Sequence, residues 1–183
     1  MKLIIFLGNA GMEYEKNRHN LGFMIGDFYA EQQGAKWKFE KKFGAEIAKI
    51  SLDSPIQSAN DRAVLLVKPQ LFYNRTGEVI AKIANFYKID ADDILAVCDD
   101  FNLNFGKIRY RKQGSDGGNN GLKSLVAHIG EKFARIRIGT DSPLRQQIGE
   151  TDFVLSNFTA QESKNLPNIC AEVSKIIDEF IES

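Results

Sequence analysis

The chain holds two histidines, and His19 is the one that stands in a polar loop, between Arg18 and Asn20 and just ahead of a helical stretch. Imidazole is the side chain whose ordinary titration range reaches neutral pH. A loop histidine is therefore a candidate general base, although a lone histidine can equally be structural. Three further segments carry groups that chemistry could use. CDDFNLNFG (98–106) places Asp99 directly after a buried apolar run, where a carboxylate can orient an imidazole and stabilise its protonated form. Strand alternation sends the adjacent Asp100 to the opposite side, and either carboxylate could instead cap a turn. KPQLFYNRTG (68–77) sets Phe72 and Tyr73 before Asn74: rings that could stack on a base or fill a core, and an amide that could meet a ligand or cap a helix. RKQGSDGGNNGLKS (111–124) puts glycines with Asn119 and Asn120 ahead of a helix. Exposed N–H groups at such a place suit a phosphate or an oxyanion, and the plainer reading is a loop with an asparagine cap.

Other chemistries are disfavoured. GNAGMEYEKNRHN (8–20) opens on GxxG rather than GxGxxG, and no acidic residue stands where a ribose would need one, so a dinucleotide is not expected. There is no GxSxG elbow and no GxxxxGK[ST] phosphate loop. The histidines and cysteines are too scattered for metal-ligand spacing, and neither metal nor cofactor is expected. Cys98 and Cys170 lie far apart and read as reduced thiols. No apolar run approaches the roughly 18–20 residues that span a bilayer, and KLIIFLG is too short for a signal core. A cytoplasmic protein is expected.

The formal net charge is zero, which argues against coating nucleic acid through bulk positive charge. The charge is unevenly spread. Between Lys107 and Arg145 stand nine basic residues against Asp116, Glu131 and Asp141, so a local basic patch is set on a neutral chain.

These groups need a scaffold, and the pattern supplies one. LIIFLG, AVLLVK (63–68) and ILAVC (94–98) read as buried strands; residues 43–51, 107–111 and 135–139 alternate as half-buried ones. Helical spacing runs from about Asn20 to Gln33, from Arg75 to Tyr87, and through GLKSLVAHIG to Gly130. Near the C-terminus Thr159 and Glu162 form a possible capping box, and Pro167 is expected to separate that turn from a last amphipathic helix. One α/β domain over residues 1–183 is expected: a three-layer sandwich with a twisted, mixed, mostly parallel sheet flanked by helices. Ligand sites in such sheets gather beyond the carboxyl ends of strands. Residues 8–20, 69–76 and 99–106 are polar segments expected at such ends.

Taken together, the four segments resemble the bacterial peptidyl-tRNA hydrolase family. The family's LGNPGxxYxxTRHNxGF stands here as LGNAGMEYEKNRHNLGF, KPxTFMNxSG as KPQLFYNRTG, DDLDLPxG as DDFNLNFG and GGHNGLKS as GGNNGLKS, in the same order. The resemblance covers nearly the whole chain. It implies an esterase that releases peptide from peptidyl-tRNA and recycles the tRNA of stalled or dropped-off products, acting without cofactor; a monomer is expected for a single domain. It implies His19 as the base that activates water, Asp99 as the group that orients it, and Asn9 at the peptide side of the ester. Asn20, Asn74 and Asn120 would position substrate and water; Tyr14 and Phe72 would lie against the terminal adenosine or nearby backbone; Arg111 and Arg137 would contact tRNA phosphates. Cys98 and Asn119 stand where the family pattern often has histidine, Tyr73 where it has methionine, and Ala10 where it has proline. Asp116 adds negative charge to a loop expected to face RNA. An RNA-binding module on the same fold, without catalysis, is the competing expectation.

Overall fold

The computed structural model describes residues 1–51 and 63–183. One seven-stranded sheet forms the middle layer, in the order β2-β3-β4-β1-β5-β7-β6. Its strands are β1 Lys2–Phe6, β2 Lys38–Glu40, β3 Ala45–Ser51, β4 Ala63–Pro69, β5 Ile94–Asn104, β6 Ile108–Arg111 and β7 Ala134–Asp141. The central β4, β1, β5 and β7 are mutually parallel. The outer pairings, β2 with β3, β3 with β4 and β6 with β7, are antiparallel.

The apolar runs are buried because helices cover both faces. Along β1, Ile4 and Phe6 join a core with Leu66, Leu95, Val97 and Ile136, closed by α1 (Leu21–Gln32) and α6 (Ala160–Glu182). Leu3, Ile5 and Leu7 point the other way, into a core with Leu65, Val67, Ala96 and Cys98, closed by α2 (Thr76–Tyr87) and α3 (Asn120–Ile129). Period-2 alternation therefore feeds two cores from one strand, and the strand needs no polar face. α1 packs tightly on the end of β1 and on β5 at Val97. A Cβ on Gly22 would stand 2.7 Å from Val97 O, so only glycine lets the helix approach this closely.

Two expectations change. The segment after ILAVC is not a loop: β5 runs on to Asn104, with an irregular register against β7 between Asp100 and Asn104. The polar residues mimic a loop signal because this end of the strand faces a groove instead of a core. Pro167 does not divide the C-terminal region either; it lies inside the continuous α6. Its eighth place in the helix removes one backbone donor, and packing of the residues beyond it, Ile169, Val173, Ile177 and Phe180, carries the helix through. The capping box at Thr159 is formed, with Glu162 N donating to Thr159 Oγ1 and Thr159 N donating to Glu162 Oε2. The short β2 and the helices α4 (Leu144–Ile148) and α5 (Glu150–Val154) gave no clear periodicity, being only three and five residues long.

Candidate active site

Asp99 continues the side-chain parity of Leu95 and Val97, so it emerges on the α1 face of the sheet. The 3-10 turn Arg18–Asn20 that leads into α1 carries His19 to meet it. Nδ1 of His19 lies 2.9 Å from Asp99 Oδ1 and 3.0 Å from Oδ2. The hydrogen-bond network assigns the proton to Nδ1, which leaves the Nε2 lone pair toward the groove.

Arg18 holds the turn in place. Its guanidinium is fully buried and forms a bidentate pair with Glu162 at 2.9 and 2.7 Å. It also donates to Ser156 Oγ and Thr140 O, and it lies between the rings of Phe153 and Phe158. Burial raises the Glu162 carboxyl, but the hydrogen bonds from Arg18 and Thr159 and the charge of Arg18 outweigh it, leaving the group below its ordinary value. This anchor was not legible from the sequence, because its two halves lie 144 positions apart.

Around His19 the amides gather. A groove of about 460 Å³ is lined by Asn9, His19, Phe72, Tyr73, Asn74, Arg75 and Asn120. His19 also lines a smaller groove of about 230 Å³ that runs past Asp100, Asn102, the Gly117–Gly118 turn and Glu150. The Asn9 side chain is oriented through its Oδ1, which accepts from Tyr73 N at 3.1 Å, so its amide N–H₂ is available to a ligand. Asn74 caps no helix, and Arg75 is the N-cap residue of α2. Asn120 is the first residue of α3, whose cap is Asn119. Phe72 is 72% exposed at the groove's lip, a free stacking surface.

Other candidates are placed differently. Asn20 is buried and uses both ends of its amide on the backbone of Asn9, so it shapes the loop. Tyr14 ends the 3-10 turn Met12–Tyr14 and lines neither groove beside His19. Arg111 is exposed at the end of the edge strand β6. Arg137 is only 14% exposed; it pairs with Asp100 at 2.9 Å and donates to Gly117 O, so it braces the glycine loop from below. Arg135 is buried and donates to the carbonyls of Ser115, Glu131 and Phe133. Asp116 accepts from Gly118 N and so shapes the turn whose charge it was expected to disturb.

Tyr73 is the residue whose role the sequence did not announce. Its ring stacks on His19, with centroids 3.6 Å apart and planes 17° apart. Its hydroxyl donates to Asp99 Oδ1 at 3.0 Å and accepts from Asn119 Nδ2 at 2.9 Å. Burial, then the charge of Asp99, push the phenol far above its ordinary range, so it stays a donor. Burial likewise pushes the Cys98 thiol up, with Asp99 adding to it. Cys98 and Cys170 are unpaired and buried.

A histidine held by a carboxylate, facing a groove ringed by amides at the ends of parallel strands, defines a class: an α/β protein equipped for base-assisted attack on a polar bond. The chain belongs to the peptidyl-tRNA hydrolase family, whose sequence profile matches residues 3–183. It is 38% identical over 181 residues to the peptidyl-tRNA hydrolase of Mycobacterium ulcerans, covering 98% of this chain and 91% of that protein. With the peptidyl-tRNA hydrolase of Mycobacterium tuberculosis it shares 39% identity over the same shares. Among solved structures it resembles the crystal structure of peptidyl-tRNA hydrolase from Acinetobacter baumannii, with a TM-score of 0.87 and 29% identity over all of this chain and 89% of that one. Among the described residues, no helix is long and apolar enough to cross a membrane.

Proposed function

We propose that this chain hydrolyses the ester between peptide and tRNA in peptidyl-tRNA, with His19 as the general base. The observation that carries the mechanism is the 2.9 Å contact of His19 Nδ1 with Asp99, which leaves Nε2 toward the groove of Asn9, Asn74 and Asn120. Nε2 takes a proton from water as the oxygen attacks the ester carbonyl carbon. Asp99 stabilises the imidazolium that forms. The carbonyl oxygen becomes an oxyanion, and an asparagine amide suits it as a hydrogen-bond donor; such contacts are worth about 3 kcal/mol in other enzymes. Collapse breaks the bond to the ribose oxygen, and His19 returns the proton to it. Free tRNA and a peptide carboxylate result. An ester of this kind is activated enough for base-assisted water, and no metal step is invoked. Phe72 offers a face to the terminal base, and Arg111 a charge to the phosphates.

The test is hydrolysis of N-blocked aminoacyl-tRNA, with unblocked aminoacyl-tRNA and His19→Ala as controls. Release from the blocked substrate alone, reduced about a hundredfold to ten-thousandfold by His19→Ala, is expected. Tight tRNA binding without release by the wild-type protein would sink the proposal and favour an RNA-binding module.

A further inference from the structure

Asp99 serves two partners. Oδ1 lies 2.9 Å from His19 Nδ1 and accepts from the Tyr73 hydroxyl at 3.0 Å. The hydroxyl is fixed from behind by Asn119 Nδ2, while Asn119 Oδ1 accepts from Leu122 N and caps α3. The backbone of Tyr73 is tied to Asn9, and its ring is wedged between His19 and Gly121, where a Cβ would stand 2.6 Å from the ring. The family pattern has methionine and often histidine at these two positions; here tyrosine and asparagine supply the two ends of one hydrogen bond.

We propose that Tyr73, aimed by Asn119, is a positioning residue that sets the pH at which His19 becomes a base, by sharing the Asp99 carboxylate with it. The inference rests on the reading of His19 as the base. A carboxylate oxygen that already accepts a phenol proton is less negative toward a second donor. It stabilises the protonated imidazole less, so the neutral form persists to lower pH. Asn119 strengthens the effect, because a donor on the phenol oxygen polarises its O–H bond. The remaining charged groups near the pair are otherwise engaged or more distant. Arg18 is paired with Glu162, Arg75 with Glu78, Asp100 with Arg137 and Glu150 with Arg145, and Arg135 holds backbone carbonyls. The thiol of Cys98 stays neutral.

The chain's two histidines make the test direct. His19 is titrated by NMR of its imidazole C–H signal, assigned with a His128→Gln variant, in the wild type, Tyr73→Phe and Asn119→Ser. The pH profile of kcat on N-blocked aminoacyl-tRNA is measured alongside. Removing the hydroxyl while keeping the ring is expected to move the His19 midpoint and the acid limb of kcat upward together. Asn119→Ser keeps a cap on α3 and is expected to move both in the same direction by less. Unmoved or lowered midpoints in both variants, with kcat reduced evenly across pH, overturn the inference and make Tyr73 a packing residue. If His19→Ala keeps its turnover, the base assignment fails, and the NMR titration still judges the coupling.

Discussion

At His19, one ring nitrogen is bound and the other is left toward a groove, and that asymmetry makes an imidazole useful as a base. Asn9 repeats the principle with an amide. Its oxygen is spent on Tyr73 N, so its N–H₂ is the end left for a ligand. Asn9→Asp keeps the acceptor for Tyr73 N and replaces the donor with an oxygen. It is expected to lower kcat about a hundredfold or more with unchanged far-UV circular dichroism, since a donor aimed at developing negative charge is exchanged for an acceptor. Activity near wild type would show that Asn9 only shapes the loop. His19, Asp99, Asn9, Asn74 and Asn120 were legible as candidates because each is a polar residue in a segment that a core would not tolerate. Tyr73 was read only as a ring that could stack on a base or fill a core, and its hydroxyl's partners were not legible because they lie 26 and 46 positions away.

Between elements, the Arg18–Glu162 pair fixes the turn that carries His19 to the start of α6. Glu162 has two duties, capping α6 and neutralising a buried guanidinium. Removing one partner of a buried pair leaves the other charge uncompensated, so Glu162→Gln is expected to destabilise the fold by about 3 kcal/mol. The sign of the pH dependence follows from the lowered carboxyl. Its contribution is complete above the ordinary carboxylate range and is lost as pH falls through the folded-state value. Urea unfolding at neutral pH and at about pH 3 should therefore show a wide gap between wild type and variant that narrows in acid. A gap constant across that range would mean that the carboxylate charge contributes nothing. The capping box was read from Thr159 and Glu162 alone because it is local. Its pairing with Arg18 is a tertiary event and left no mark at either position.

Across the whole molecule, a net charge of zero hides a basic patch in the sequence, nine basic residues against three acidic ones between Lys107 and Arg145. The structure divides that patch into two kinds of residue. Arg135 and Arg137 are committed to carbonyls and to Asp100, whereas Arg111 is exposed at the end of β6 and is proposed to meet phosphate. Arg111→Ala is expected to weaken tRNA binding evenly across sequences and to reduce the slope of log affinity against log salt by about one. Arg137 is expected to behave otherwise: its loss would loosen the Gly117–Gly118 turn, not the salt dependence. A salt titration of tRNA binding by fluorescence anisotropy checks both, and an unchanged slope in Arg111→Ala would remove that residue from the interface.

By itself the sequence determined the periodicities and therefore the layers: apolar runs that must be buried on both faces, helices to cover them, and polar segments at the strand ends. These are local properties, fixed by the alternation of side chains along a strand and their recurrence along a helix. Tertiary structure alone decided that β5 runs through Asp99 and Asp100 to Asn104, that α6 continues across Pro167, and which arginines are internal. It also decided that Tyr73 and Asn119 meet at Asp99. Each depends on partners distant in the chain, and the free energy of a buried hydrogen bond or ion pair belongs to the pair, so neither residue type reveals it alone.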